Sequence, residues 1–267
     1  MELLQKYRIN IVLFFCTAFT TCLINGPYYS MAIMTILLSH EMGHFVMCKK
    51  YGVEATAPFF IPVPFPPFGT FGAVIKMRGY IPDKKALFDI GAAGPLAGLF
   101  FAIPAVIIGL SLSEIRAVPT TEDTHYLGLG EPVLFTWLAK AVVGDVAEGL
   151  DIYLHPVAFA GWAGLFVTAL NLLPIGQLDG GHIIYALFGK KSELVYKIGI
   201  IAFCGIALFY YPGWILFAML LLVFGFRHPA PLDEFTGLDV RRKLLGVAML
   251  VIFALCFTPV PLRLEAP

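Results

Sequence analysis

His40-Glu41-Met42-Gly43-His44 sets two imidazoles one helical turn apart in a run otherwise made of Met, Ile, Leu and Phe. Residues at i and i+4 leave the same face of a helix, so both rings can reach one metal ion. The Glu after the first His can then take a proton from water beside that ion. The chemistry this spacing predicts is metal-assisted hydrolysis of a peptide bond. Ionisable side chains in an apolar span are costly unless paired or metal-bound, so three of them within five residues point to a site rather than to decoration.

Composition identifies the solvent around those residues. The chain is 59% hydrophobic and 13% charged, with a mean hydropathy of +0.83, which is too apolar for a water-soluble domain and fits an all-α polytopic membrane protein. Lys plus Arg and Asp plus Glu both number 18, a balance that argues against a nucleic-acid partner. The five cysteines form no C-x-x-C pair and read as small core residues rather than as a disulfide framework.

Taking about 20 apolar residues as one crossing of the hydrocarbon, the chain offers six to seven transmembrane helices. They lie at 9–24, 29–47, 87–112, 156–174, 193–226 and 244–260, the fifth run being interrupted at Tyr211-Pro212-Gly213. The first resembles a signal peptide but lacks a clear small-residue cleavage site, and is read as retained. Loop charge orients the whole, because cytoplasmic loops carry the excess of Lys and Arg. Lys6 and Arg8 put the N-terminus inside, as do Lys49, Lys50, Lys84 and Lys85 for the second loop, Lys190, Lys191 and Lys197 for a later one, and Arg227 for the next. The acidic loop 113–155 falls outside, and its 131–149 stretch reads as an amphipathic helix on that surface. Seven crossings satisfy every loop, whereas six would move Arg241-Arg242-Lys243 outside.

On this topology the paired histidines sit in the inner half of the second crossing, about 10 Å from Lys49, toward the cytoplasmic side. A third ligand must come from a similar depth. The inner end of the fourth crossing reads Asn171-Leu172-Leu173-Pro174-Ile175-Gly176-Gln177-Leu178-Asp179-Gly180-Gly181-His182. Its proline and glycines break the helix, and irregular backbone at membrane depth survives only where protein covers it or where it lines a wet cavity. Asp179 is the natural third ligand, although Asp ahead of two glycines is also a common helix cap. Two His and one carboxylate leave a fourth position of tetrahedral zinc open to water. Cys48 continues the histidine stripe but lies too far along the axis to share the ion. His182 reads as a neighbour of the site rather than a ligand, and His125, His155 and His228 as solvated loop residues.

His40-Glu41-x-x-His44 together with Asn171-x-x-Pro174-x-x-x-Leu178-Asp179-Gly180 resembles the paired motifs of the site-2 protease family of intramembrane zinc metalloproteases. The resemblance covers about residues 29–191, and Ala93-Gly94-Pro95 is similar to part of that family's third core helix, without the Asn that many members carry shortly after it. It implies that His40, His44 and Asp179 bind one Zn2+ per chain, that Glu41 is the general base, and that Asn171 contacts substrate or intermediate. The implied activity is cleavage of a single-span membrane protein in or near its transmembrane segment, as in regulated intramembrane proteolysis.

A substrate helix already satisfies its own backbone hydrogen bonds, so some element must hold it extended before a carbonyl can react. The loop 58–77 is suited to that. Prolines at 58, 62, 64, 66 and 67 forbid a continuous helix, and 71–76 is strand-like. A re-entrant, β-hairpin-like loop would offer Phe71, Gly72, Ala73 and Val74 as an edge to which substrate adds as a strand; the alternative is an interfacial loop that only anchors aromatics at the headgroups. The resemblance, too, implies a re-entrant hairpin here. Residues 1–267 are therefore expected to form one transmembrane protease domain. It would comprise a core at about 29–191, an outer loop at 113–155 and C-terminal helices over 193–260, in a lipid bilayer and without a nucleotide-sensing or peptide-binding module. A metal-ion transporter and a catalytically silent scaffold are the other readings of the same residues, and Glu41 separates them, since transport has no need of a general base.

Overall fold

In the computed structural model, which describes residues 2–118, 126–225 and 228–265, helices dominate. His125 and Arg227 lie outside that set. The elements in order are α1 (Glu2–Lys50), β1 (Glu54–Ala55), β2 (Phe59–Pro62), β3 (Thr70–Val74), β4 (Met77–Arg78), α2 (Lys84–Ser111), β5 (Glu114–Ala117), β6 (Tyr126–Leu129), α3 (Val133–Val142) and β7 (Leu150–Tyr153). They continue with α4 (Pro156–Asn171), α5 (Asp179–Phe188), α6 (Ser192–Phe209), α7 (Ile215–Phe224), α8 (Val240–Cys256) and β8 (Leu262–Glu265). By length and composition, Tyr7–Lys50, Lys84–Ser111 and Asp179–Phe209 are long and apolar enough to cross a membrane.

Two of those three runs are folded back on themselves. In α1 the Thr21 and Ser30 hydroxyls are 2.8 Å apart, and Ser30 also donates to the Ala18 carbonyl at 2.9 Å. A straight helix would separate residues 18 and 30 by about 18 Å along its axis. The reversal occurs at Gly26, whose φ of 82° suits glycine alone, and Pro27 follows it without needing an amide partner. The gap between the expected crossings at 9–24 and 29–47 is thus a single-residue break between two helical arms. Likewise Tyr196 donates to the Gly181 carbonyl at 2.8 Å, a distance that a continuous helix would stretch to about 22 Å. The turn at Gly189–Lys191 therefore brings α6 back beside α5.

The core lies where α1, α2 and α4 meet, around Tyr29, Ile33, Ile36, Val106, Trp162 and Leu165. Close approach depends on small residues: a Cβ at Gly161 would fall 2.6 Å from the Val106 amide, and one at Gly43 would overlap the Ala93 carbonyl. Strands β2 and β3 form an antiparallel hairpin with a bulge between Phe60 and Pro62. Three further two-stranded antiparallel pairings are β1 with β4, β5 with β7 and β6 with β8. The sequence reading put only a helix in the outer loop. There the structure has α3, as expected, plus the β5–β7 ribbon and the β6 strand, which pairs with the far C-terminal β8.

At one end of the bundle Arg242 of α8 grips both carboxylate oxygens of Asp89 in α2, each at 2.7 Å, while Tyr51 after α1 donates to the same group at 2.5 Å. Such bidentate pairing is the strong form of an ion pair. It also brings the basic clusters Lys49-Lys50, Lys84-Lys85 and Arg241–Lys243 to one end. At the other end Trp214 donates to the Pro259 carbonyl and Trp162 to that of Gly130, both at 2.8 Å.

The reversal at Gly26 predicts that Thr21→Cys combined with Ser30→Cys, in a background cleared of native cysteines, will cross-link within one chain under mild oxidation. A shift in gel mobility that reverses with reductant reports it, and a straight first helix would give none.

Candidate metal centre

His40, Glu41 and His44 occupy the inner face of the second arm of α1 at 4%, 6% and 7% exposure. The face of α2 that meets them is a stripe of glycines. A Cβ at Gly94 would overlap the His44 ring, one at Gly98 would come within 3.2 Å of His40 Nδ1, and one at Gly91 within 2.8 Å of the His182 Cβ. The small residues that permit close helix packing therefore also make room for the imidazoles. His44 Nδ1 lies 2.8 Å from the Ile90 carbonyl. A carbonyl only accepts, so the ring proton sits on Nδ1 and the Nε2 lone pair is turned inward.

Asp179 arrives from α5 through the broken segment predicted after Asn171. That segment is covered by protein: a Cβ at Gly180 or Gly181 would overlap the carbonyls of Leu172 or Gly176, so the two glycines let α5 pack against it. His40 Nε2 and His44 Nε2 are 3.2 Å apart, and Asp179 Oδ2 is 3.2 Å from the first and 3.3 Å from the second. Among the described residues these three form the one group of His, Cys, Asp and Glu able to share an ion.

The donor set passes two tests for zinc. A triangle of those edges is the face of a tetrahedron whose centre lies roughly 2.0 Å from each corner, the length of a Zn–N or Zn–O bond. Asp179 Oδ2 is buried, and it lacks a hydrogen-bond partner despite lying 3.2 and 3.3 Å from the two rings. A buried oxygen left in that state needs a cation. Asn171, at the end of α4, points its Nδ2 to within 3.1 Å of His40 Nε2, and the Ile75 backbone, just beyond β3, lies close enough to Glu41 to act on its carboxylate. On β3 itself Phe71 is 78% exposed and Val74 52%, with Gly72 buried and Ala73 between.

Other sequence readings fare differently. Cys48 is wholly buried against Val53 and Ile90, away from the triangle. His182 is a buried neighbour of the site, as read. His228 is not solvated: it lies 2.5 Å from His182 Nδ1 and stacks on Tyr185. Burial, with His182 adding to it, pushes the His228 imidazole down to about 3. With its Nδ1 bonded to the Pro229 carbonyl, His228 offers Nε2 to His182 as an acceptor. No spacing pattern links positions 182 and 228. His155 caps α4, its Nδ1 accepting from Val157.

Gly94→Ala is expected to weaken zinc affinity by at least about tenfold through the displaced His44 ring, and Asp179→Ala to leave the protein without bound zinc. Metal content per chain after dialysis against graded chelator measures both.

A family model for peptidase family M50 matches residues 28–212. The probable zinc metalloprotease EGY1, chloroplastic, of Arabidopsis thaliana is 30% identical over 224 residues, covering 82% of this chain and 40% of that protein. Probable zinc metalloprotease EGY2, chloroplastic, of the same plant is 31% identical over 236 residues, covering 86% of this chain and 41% of that protein. Its counterpart EGY1 of Oryza sativa subsp. japonica is 39% identical over 163 residues, 60% of this chain and 28% of that protein. The chain thus spans about two fifths of the length of the Arabidopsis relatives. Since the family match runs over more than half of the chain and contains every residue of the triangle, the chain belongs to peptidase family M50, the site-2 protease family of zinc metalloproteases.

Proposed function

We propose that this chain is an intramembrane zinc endopeptidase that hydrolyses a peptide bond in or near the transmembrane segment of a single-span membrane protein. The observation that carries the reading is the triangle of His40, His44 and Asp179 at 3.2–3.3 Å, set among apolar helices. These three residues would hold the ion. When bound there, zinc supplies Lewis-acid chemistry, making water a nucleophile near neutral pH and polarising an oxygen of the substrate.

The chain's own groups do the rest. Glu41, one residue after His40 on the same buried turn, takes the proton of the attacking water and returns it to the departing amine. Asn171 Nδ2, 3.1 Å from His40 Nε2, is a donor beside the metal position where negative charge develops on the carbonyl oxygen. The β3 edge receives the unwound substrate as an added strand through the Phe71–Val74 stretch. Support for that role comes from the closeness of the Ile75 backbone to Glu41, which puts the end of this edge beside the catalytic carboxylate. Closure of the site by α1, α2 and α4 excludes bulk water around it.

Seven crossings with the N-terminus and metal site toward the cytoplasm fit the chain best. The reversals at Gly26 and Gly189 favour more crossings than three, and the Arg242–Asp89 pair favours the start of α8 at the same end as the close of α1. If α1 crosses, the hairpin is re-entrant, because it is bonded to that helix at both Asn10 and Asn25, about 22 Å apart along one arm.

Glu41→Gln tests the reading. It should keep zinc at the wild-type level and lower cleavage of a responsive single-span substrate by roughly 10²–10⁴-fold. Equal cleavage by the variant would sink the protease assignment, and metal flux in proteoliposomes that survives in the variant, with no cleavage by either form, would favour transport. The strand edge is tested by Ala73→Pro and Val74→Pro. In an antiparallel pair successive amides alternate between the partner and the open side, so one of the two substitutions removes a donor from the free edge. That one should reduce cleavage while zinc content stays unchanged.

A further inference from the structure

The first arm of α1 precedes the segment that the family model matches, yet three of its polar side chains, Asn10, Thr20 and Asn25, bond the hairpin beside the metal centre. Asn10 Nδ2 donates to the carbonyls of Ala57 and Pro58 at 3.0 and 2.9 Å. Thr20 Oγ1 donates to that of Gly69 at 2.8 Å, and Asn25 Nδ2 to that of Pro67 at 2.6 Å. From the second arm, Tyr29 reaches the Phe68 carbonyl at 3.1 Å. All five carbonyls lie outside β2 and β3, and among them that of Gly69 also accepts from the Val63 amide at 3.1 Å. Prolines deprive the hairpin of amide donors, so without these side chains the other four carbonyls would stand bare among apolar helices. The opposite face of the arm exposes Ile9, Val12, Phe15, Phe19 and Leu23.

We propose that Asn10, Thr20 and Asn25 are positioning residues that fix the depth and register of the hairpin, and so determine which substrate bond lies over the metal centre. The inference rests on the reading of β3 as the substrate edge. Its geometric basis is anchorage at two distant points. Asn10 holds the base of the hairpin, Thr20 and Asn25 hold its tip, and β3 runs between them toward the Ile75 backbone beside Glu41. At the tip the fit is tight: a Cβ at Gly69, where φ is 74°, would meet the Thr21 Cα at 2.8 Å and the Thr20 carbonyl at 3.0 Å. Phe14 meets Phe60 edge-to-face at 5.1 Å midway along, and Phe68 stacks on Trp162 and Phe166 of α4. A strand advances by about 3.3 Å per residue, so a hairpin that slides by that amount presents a different peptide bond.

The test uses the full chain in detergent, loaded with zinc, with a single-span substrate that it cuts and mass spectrometry of the products. Asn10→Ala, Asn25→Ala and the double variant should keep wild-type zinc content. They should cut at bonds neighbouring the wild-type one as well as at it, and raise KM by about tenfold for the loss of one or two buried hydrogen bonds. Asn25→Gln, which retains a donor, should restore most of the single cut. Cleavage confined to the wild-type bond with KM within about twofold would overturn the proposal, as the lost hydrogen bonds would then have no consequence at the site. Loss of zinc by both single variants would also overturn it, because the side chains would then maintain the fold rather than the register. Ala73→Pro and Val74→Pro run alongside: wild-type cleavage by both would fault the strand-edge reading itself, independently of what the asparagine variants do.

Discussion

Everything in this molecule answers to one constraint, that a polar atom placed among apolar helices must find its partner inside the protein. A carboxylate and two imidazoles are the extreme case. Their three donor atoms converge to 3.2–3.3 Å, a spacing that would be repulsive or wasteful in the absence of a cation and is natural around one. The same demand explains the hairpin. Its prolines leave carbonyls without backbone donors, and asparagine, threonine and tyrosine side chains of α1 take that place. Catalysis and membrane residence thus make one demand of the sequence, and Asn10, Thr20, Asn25 and Tyr29 in α1 meet part of it.

Packing then decides where the converging groups can stand. The α2 stripe of Gly91, Gly94 and Gly98 faces His182, His44 and His40 in turn. Each glycine removes the side chain that would compete with a ring for the same volume. Because protein interiors are close-packed, such vacancies do not occur by default and are not tolerated unless filled. The interface between α1 and α2 is therefore shaped by the site as much as it supports it. The ion pair between Arg242 and Asp89 ties the third partner, α8, to the same end of the bundle.

Most of the site was legible before any coordinates because its signals are local. The pair His40 and His44 is a spacing within one helix, and Asp179 stands out as an acid among glycines just past a proline in an apolar run. The helical reversal at Gly26 was legible as a loop between two apolar runs, although only the hydroxyl contact of Thr21 with Ser30 reduces it to one residue. What stayed hidden depends on distant partners or on main-chain atoms. The pairing of β6 with β8 joins the middle of the chain to its last strand, and four residues are too few for the Leu-Arg-Leu-Glu alternation of β8 to announce a partner. His182 and His228 meet across a connection with no pattern to announce it. The Ile90 carbonyl has no residue type that could have flagged it.

That carbonyl has a consequence for how the metal centre can be tuned. The group that orients His44 is main chain, so no side-chain replacement at position 90 deletes it, and the ring's tautomer is insulated from mutation there. It is not insulated from helix geometry. Ile90 is one turn before Gly94-Pro95, where a helix is prone to bend, and any change of pitch or spacing between α1 and α2 moves the acceptor relative to the ring. Ligand orientation is thus a readout of how closely two helices lie together, and by linkage an ion that favours one orientation also favours one spacing.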